Sequence, residues 1–262
     1  MTEVVTESRP AGGSAAPAAV RRIAIVPAFN EQECVADVIE EIRAFDPDFA
    51  IVVVDDGSTD ATAAAAERLG AHVVRLPFNL GIGGAVQTGF RYAFENGFGL
   101  AVRVDGDGQH DPAQLGALLA PVLADEADIA IGSRFRETLG GESESFRSSR
   151  TRRMGISILA WTVSLLVRRR VTDPTSGFQA LNRRAIALFA ADYPHDYPEV
   201  EAALMVHKHQ LRMTEVPVQM RERSAGRSSI GALASVYYMV KVLLALFVGL
   251  FRKNATPLEE VK

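Results

Sequence analysis

The chain has 262 residues, 48% of them hydrophobic and 23% charged, enough for one α/β core that needs neither disulfides nor a structural metal to hold it. A formal net charge of −4 excludes the global basic field of a nucleic-acid-binding protein. Cys34 is the only cysteine, which excludes an intrachain disulfide, points to a reducing compartment and reads as a buried structural thiol.

Residues 1–20 are rich in Ala, Pro, Gly and Ser and contain no apolar stretch of signal-peptide type, so they read as a tail. Residues 23–26 form a short apolar strand that is expected to stop at Pro27. Asn30 is placed to cap the following helix, with Glu31 and Glu33 in its first turn and Val35, Val38, Ile39 and Ile42 at helical spacing. A second strand, 51–54, runs into Asp55-Asp56-Gly57-Ser58. An Ala-rich helix over 59–69, a strand over 73–76 and a helix over 84–96 follow. A fourth strand, 100–104, ends at Asp105-Gly106-Asp107-Gly108. Beyond it come a helix over 115–123, a strand over 128–131 ending at Gly132-Ser133-Arg134, and a polar loop over 137–149. An apolar helix over 154–167 is too short to span a bilayer, the turn-rich segment 173–178 leads into mixed elements up to 220, and a second apolar helix covers 230–251. Strands apolar throughout need both faces covered, as in a parallel sheet with crossover helices. In such sheets ligands sit beyond the carboxyl ends of the strands. Three of those ends, at 27–30, 55–58 and 105–107, carry polar or acidic residues.

Two carboxylates one residue apart at a strand end, Asp105 and Asp107, suit a hard divalent cation that bridges a diphosphate and acts as Lewis acid and template. The glycine-rich segment 79–85 can offer backbone N–H groups to phosphate. It lacks the lysine and hydroxyl of a Walker motif, and no G-x-G-x-x-G follows the first strand, which disfavours ATP hydrolysis and dinucleotide-dependent dehydrogenation. Taken in order, Pro27-Ala28-Phe29-Asn30-Glu31, Asp55-Asp56-Gly57-Ser58-Thr59-Asp60, Asn79-Leu80-Gly81-Ile82-Gly83-Gly84-Ala85 and Asp105-Gly106-Asp107-Gly108-Gln109-His110 resemble family 2 glycosyltransferases. The likeness runs from about 21 to 134, with further motifs to about 229. It implies a GT-A fold, a Rossmann-like, mostly parallel sheet flanked by helices, with amphipathic, membrane-associated helices towards the C-terminus. It also implies a donor site in which Glu31 and Asp55 contact uridine or guanosine, Pro27 and Ala28 shape the wall, and Asn30, Asp56, Gly84 and Asp105 complete the set. Asp105, Asp107 and Gln109 would hold Mg²⁺ or Mn²⁺, whereas His110 reads better as a core or capping residue.

Within the family, Asp-Gly-Asp-Gly-Gln-His most resembles the polyprenyl-phosphate sugar synthases, such as dolichol-phosphate mannose synthases. By that resemblance Asp107, Arg134 and Arg223 are the catalytic set. Arg134 and Arg223, the latter in the R-x-x-G-x-S element with Ser228, would grip an acceptor phosphate through bidentate forks, with Arg153 and Ser157 as weaker additions. Asp173, Thr175 and Ser176 fall in the family's D-x-T-S-G-F element at the acceptor side, and Glu199 and Glu201 lie where many family 2 enzymes keep a base. A phosphate acceptor is already an anion and needs no base, so Glu199 would then position the site. A single in-line displacement with inversion is expected, without a covalent sugar–enzyme intermediate.

Lys241 interrupts the run 230–251; Val236, Val240, Leu243, Leu244, Phe247 and Leu250 fall on one face and Ser235, Tyr238 and Lys241 on the other. With Arg252 and Lys253 at its end, this pattern predicts a helix lying in the membrane interface. The helix 154–167, between Arg152-Arg153 and Arg168-Arg169-Arg170, reads alike. The expected organisation is a tail (1–20), a catalytic domain (21–229), a membrane-associated helix (230–253) and a second tail (254–262), peripheral or monotopic at the cytoplasmic face. Expected partners are a UDP- or GDP-sugar, a polyprenyl phosphate and the membrane surface, with a small membrane protein or a second copy of the chain as further candidates and no nucleic acid. Two other readings stay open. One is transfer to a carbohydrate acceptor with Glu199 or Glu201 as base. The other is a non-catalytic sugar-nucleotide-binding partner, against which the intact Asp105, Asp107 and Gln109 set counts.

Overall fold

In the computed structural model the described residues are 20–136, 150–221, 232–251 and 256–259, with the side chains of 150–154 and 232–239 left aside. The apolar runs become strands and the periodic stretches helices: β1 (Arg22–Ala28), α1 (Val35–Phe45), β2 (Ala50–Asp55), α2 (Thr62–Arg68), β3 (His72–Arg75), α3 (Gly81–Glu95) and β4 (Leu100–Arg103). A short 3-10 turn (Pro112–Gln114) precedes α4 (Leu115–Leu123) and β5 (Ile129–Ser133). Then come α5 (Arg150–Val167), β6 (Gln179–Asn182), α6 (Arg183–Ala191), α7 (Pro198–Lys208), β7 (Met213–Pro217) and α8 (Ala232–Phe251).

Among the described residues the strands form one seven-stranded sheet in the order β3-β2-β1-β4-β6-β5-β7. Only β6 runs against its neighbours, pairing antiparallel with both β4 and β5. Alternation along the central strands sends Ile23, Ile25, Val52 and Val54 to the face covered by α3, α5, α6, α7 and α8. Ala24, Val26, Ile51 and Val53 go to the face covered by α1, α2 and α4. Both faces are therefore buried, which is why these strands read as unbroken apolar runs; each buried Val, Leu or Ile contributes roughly 1.5–3 kcal/mol.

Several boundaries differ from expectation for reasons the neighbours supply. β1 does not stop at Pro27 but continues to Ala28, with Pro27 opposite Val54 and Ala28 opposite Asp55. The proline is tolerated because its missing N–H falls on the β4 side, beyond the last register pair Ile25–Arg103, and its carbonyl accepts from Gly106 N–H at 3.1 Å. Asn30 does not cap α1, which begins five residues later at Val35 with the buried Cys34 at the preceding position. Instead Asn30 takes a left-handed conformation (φ 56°) and its Oδ1 accepts from Thr59 N–H at 2.9 Å, clamping the loop after β2. α2 begins at Thr62, where Asp60 accepts from the Thr62 N–H at 2.9 Å.

On α5, Ile156, Leu159, Val163 and Val167 pack inward while Ile158, Trp161 and Leu165 face out. On α8, Val242 and Leu246 enter the core beside α7, and Val240, Leu244, Phe247, Val248 and Phe251 form an exposed apolar stripe at helical spacing. Lys208 Nζ donates to the carbonyls of Gly249 (2.7 Å) and Leu250 (3.2 Å), satisfying the end of α8. Among the described residues no helix is long and apolar enough to cross a membrane.

Candidate active site

The carboxyl ends of β1, β2 and β4 open onto a cleft of about 380 Å³ lined by Pro27, Ala28, Phe29, Glu31, Asp56, Asn79, Gly81, Ile82, Ala85, Asp105, Gly106 and Asp107. Of the donor-site candidates, Pro27, Ala28, Glu31, Asp56 and Asp105 are thus brought together on one wall. Asn30, Asp55 and Gly84 are not among the lining residues. Asp55 is buried and its Oδ1 accepts from Ser58 N–H at 3.0 Å. A side chain on Gly84 would meet Leu80 Cβ at 2.6 Å, so this glycine serves packing within the first turn of α3.

The head of α3 carries an anion supplied by the chain itself. Asp56 Oδ1 accepts from Leu80 N–H (2.7 Å) and Oδ2 from Gly81 N–H (2.9 Å). These are two of the N–H groups that the glycine-rich segment was expected to offer to phosphate, and in this conformation those two are already partnered. Burial raises the Asp56 pKa, opposed by those two N–H groups and assisted by the neighbouring Asp55 charge. Gly81 makes the arrangement possible with φ 81°.

Asp105 and Asp107 reach the cleft from the loop after β4, and their surroundings differ. Asp107 accepts from the N–H (3.1 Å) and the side-chain amide (2.5 Å) of Gln109, so Gln109 orients Asp107. Asp105 is held by Arg103, whose Nε lies 2.9 Å from Oδ1. His110 is buried, stacks on Phe178 at 4.9 Å, and through Nδ1 accepts from the Asp105 N–H at 3.0 Å. Burial lowers its pKa against the pull of the Asp105 charge, leaving a neutral imidazole with its proton on Nε2. His110 is the core residue expected from the sequence.

A divalent cation fits this donor set. Among the described residues no group of three or more His, Cys, Asp or Glu side chains is arranged to hold an ion alone. Two carboxylates on a cleft wall would instead hold a hard cation together with oxygens supplied by a bound diphosphate and water.

The acceptor-side candidates assemble around arginines. Arg134 grips Asp173 through Nε–Oδ2 and Nη2–Oδ1 contacts of 2.7 Å each, and Nη2 also donates to Thr175 Oγ1 at 2.7 Å. Asp173 is fully buried, so in this conformation it serves Arg134 and not a sugar hydroxyl. Glu215, which the sequence did not single out, accepts from the Thr172 and Asp173 N–H groups at 2.8 and 2.9 Å and pins the same turn. Ser176 is buried, its carbonyl accepting from Gln179 at 3.2 Å. Gly177 packs so closely that a Cβ there would lie 2.7 Å from Arg103 Nη2 and 3.0 Å from Asp105 Oδ2, which brings this turn against the acidic loop. Glu199, in the first turn of α7, pairs with Arg103 at 2.8 Å. Ser157 is exposed on α5 and is not part of the cleft wall. Arg221 pairs with Glu41 and Asp111 at 2.8 Å, and its N–H donates to the Gln109 carbonyl at 2.9 Å. The side chain of Arg153 and the whole of Arg223 and Ser228 lie outside the described residues.

Comparison with known proteins agrees with this geometry. The family model described as glycosyl transferase family 2 matches residues 23–188. An undecaprenyl-phosphate mannosyltransferase of Micrococcus luteus is 33% identical over 80% of this chain and 88% of its own length. A polyprenol monophosphomannose synthase of Mycolicibacterium smegmatis is 32% identical over 86% of this chain and 88% of its own. Among solved structures, glucosyl-3-phosphoglycerate synthase of Mycobacterium tuberculosis, in complex with Mn²⁺, UDP and phosphoglyceric acid, superposes with a TM-score of 0.65 at 22% identity, covering 87% of this chain and 79% of that one. Sheet order, the acidic loop after β4 and sequence kinship lead to the same place: the chain belongs to glycosyl transferase family 2 and carries its GT-A fold.

Proposed function

We propose that this family 2 glycosyltransferase moves a sugar from a UDP- or GDP-sugar to the phosphate of a polyprenyl lipid. The observation that carries the reading is the pair Asp105 and Asp107 on the wall of a cleft that also presents Glu31, a geometry suited to a nucleoside diphosphate and its cation. Mg²⁺ or Mn²⁺, held by Asp105 and Asp107 with Gln109 beside them, would neutralise charge building on the leaving diphosphate. Glu31 accepts hydrogen bonds from base or ribose, and Pro27 and Ala28 form the wall against which the nucleoside lies.

The acceptor's phosphate oxygen attacks the anomeric carbon as the bond to the diphosphate breaks, inverting the configuration. No proton has to leave the nucleophile. That agrees with a Glu199 already committed to Arg103 at 2.8 Å instead of standing ready as a base. Arg134, its plane fixed by Asp173, supplies positive charge on the acceptor side. Arg223 follows by two residues the Arg221 that is bonded to the Gln109 carbonyl, and completes the phosphate grip. The acceptor class draws support from the named activities of the two bacterial relatives. The exposed apolar stripes of α5 and α8, Trp161 and Phe251 among them, supply the surface by which the protein rests on a membrane, at the cytoplasmic face where nucleotide sugars are found.

The test is transfer from radiolabelled UDP- and GDP-sugars to short polyprenyl phosphates with Mn²⁺ or Mg²⁺, against an EDTA control. Metal-dependent labelled lipid is the expected result and names the donor. Label entering a carbohydrate acceptor would replace the acceptor assignment and make Glu199 the base to mutate, and nucleotide binding without any turnover would show a binding protein.

A further inference from the structure

Arg103 is the largest fully buried side chain of the molecule's described part, 1% exposed, in a strand otherwise made of Leu, Ala and Val. A cation so placed has to be paired. Its Nε and Nη2 face the two oxygens of Asp105 at 2.9 and 3.4 Å, and its Nη1 meets Glu199 Oε1 at 2.8 Å. Burial works against its charge, and the carboxylates of Asp105 and Glu199 outweigh that, raising its pKa further. Gly177 packs so close to the guanidinium that a Cβ there would lie 2.8 Å from Arg103 Cζ, and the buried Tyr193 hydroxyl sits beside it. None of these contacts is needed to hold β4 in the sheet, which its backbone pairing with β1 and β6 already does. They do hold both carboxylate oxygens of Asp105, on a loop that is tied by its backbone to His110 and Pro27 and has glycines at 106 and 108, the latter at φ 73°.

We propose that Arg103 is a positioning residue of the donor site. It holds the Asp105 carboxylate from beneath in the orientation that receives the nucleotide's cation, and is itself anchored by Glu199 at the head of α7. The side chain that reaches the cleft is Asp105; Arg103 acts through it. A planar fork can hold both carboxylate oxygens and reach a second acid at once, which an ammonium cannot do. The inference rests on the reading of the Asp105–Asp107 loop as the metal–nucleotide site.

The experiment is a titration of Mn²⁺ in the presence of UDP or GDP, followed by the loss of the free-Mn²⁺ electron paramagnetic resonance signal, on the full-length protein and on R103K, R103Q, E199Q and R103Q/E199Q. Thermal melts establish the folded fraction of each. Groups that orient metal-binding side chains are worth about 10–100-fold in metal affinity. R103K and R103Q are expected to weaken Mn²⁺ binding by about that factor at matched folded fraction, E199Q by less, and the double variant no more than R103Q alone. A folded R103K with wild-type Mn²⁺ affinity overturns the proposal. Should both single Arg103 variants fail to fold, E199Q decides: weakened Mn²⁺ binding in a folded protein supports the relay and unchanged binding overturns it. Wild-type protein that takes up no Mn²⁺ with either nucleotide would reject the donor-site reading itself, a result distinct from all of these.

Discussion

The two halves of the sheet hold their acids in different ways. In the half that opens onto the cleft, Asp55, Asp56 and Asp107 are fixed largely by backbone N–H groups of Ser58, Leu80, Gly81 and Gln109. In the other half, arginine side chains do the work, with Arg134 on Asp173, Arg103 on Glu199, and Arg212 and Arg184 on Asp128. A backbone dipole orients a carboxylate with partial charge alone, whereas a guanidinium sets a full positive charge against it. The first half therefore presents carboxylates at the cleft, where a cation can enter, and the second sets full positive charges against its acids. Asp105 stands at the seam, its backbone N–H bound by His110 and its carboxylate by Arg103.

The difference can be broken from either side. Asp173→Ala, which strips a buried arginine of its partner, is expected to cost about 3–5 kcal/mol in urea unfolding, with Asp173→Asn retaining part of it. Asp107→Asn should leave stability nearly unchanged and lower turnover about 10²–10³-fold in the transfer assay, since the charge is needed only opposite the metal and the leaving diphosphate. Wild-type turnover in that variant would remove Asp107 from the metal site. A third change tests the arginine-held half by pH. Burial works to raise the Asp128 pKa, but hydrogen bonds from Arg212 and Asn182 and the charge of Arg184 hold it at about 2. A depressed carboxylate stabilises the fold above its unfolded pKa near 4 and loses that contribution as pH falls through about 2. Asp128→Asn should therefore be about 2 kcal/mol less stable than wild type at pH 7, and the gap should close between pH 4 and pH 2. The smallest effect belongs to the backbone-held half: Asn30→Gly keeps the left-handed conformation and loses the bond to Thr59, for about 1 kcal/mol in the same unfolding measurement.

The cleft half was legible in the sequence because its logic is local. Each motif sits at the end of a strand whose apolar run announces it, and Pro27, Glu31, Asp56 and Asp105 met on one wall as their positions required. Local reasoning failed where a side chain turned to a distant partner. Asn30 has the chemistry of a helix cap, but its acceptor is used 29 residues away at Thr59. Arg134 and Asp173 were both assigned to ligands, yet they meet each other across 39 residues. Glu199 was read as a positioning residue for a phosphate acceptor and as a base only for a carbohydrate one, but its partner Arg103, 96 residues before it, was not foreseen. Arg103 did leave a signal, a lone charge inside Leu-Ala-Val-Arg-Val, but naming its partners required the sheet order. The reversed strand β6 was not legible either, for its four residues are too few to show a period or a direction.

Arg103 has a further consequence for how the chain folds. The strands β1 to β4 and their helices span residues 22–103 and pair only with one another until β6 arrives, the register joining Val102 to Ala180 and Arg103 to Gln179. In a chain that folds from its N-terminus, β4 is for that interval an open edge, and an open apolar edge invites pairing with other chains. An arginine on that edge keeps it hydrated and repels a second copy. Once β6 closes the sheet and α7 brings Glu199 into place, the charge that guarded the edge during assembly becomes the one buried beneath Asp105.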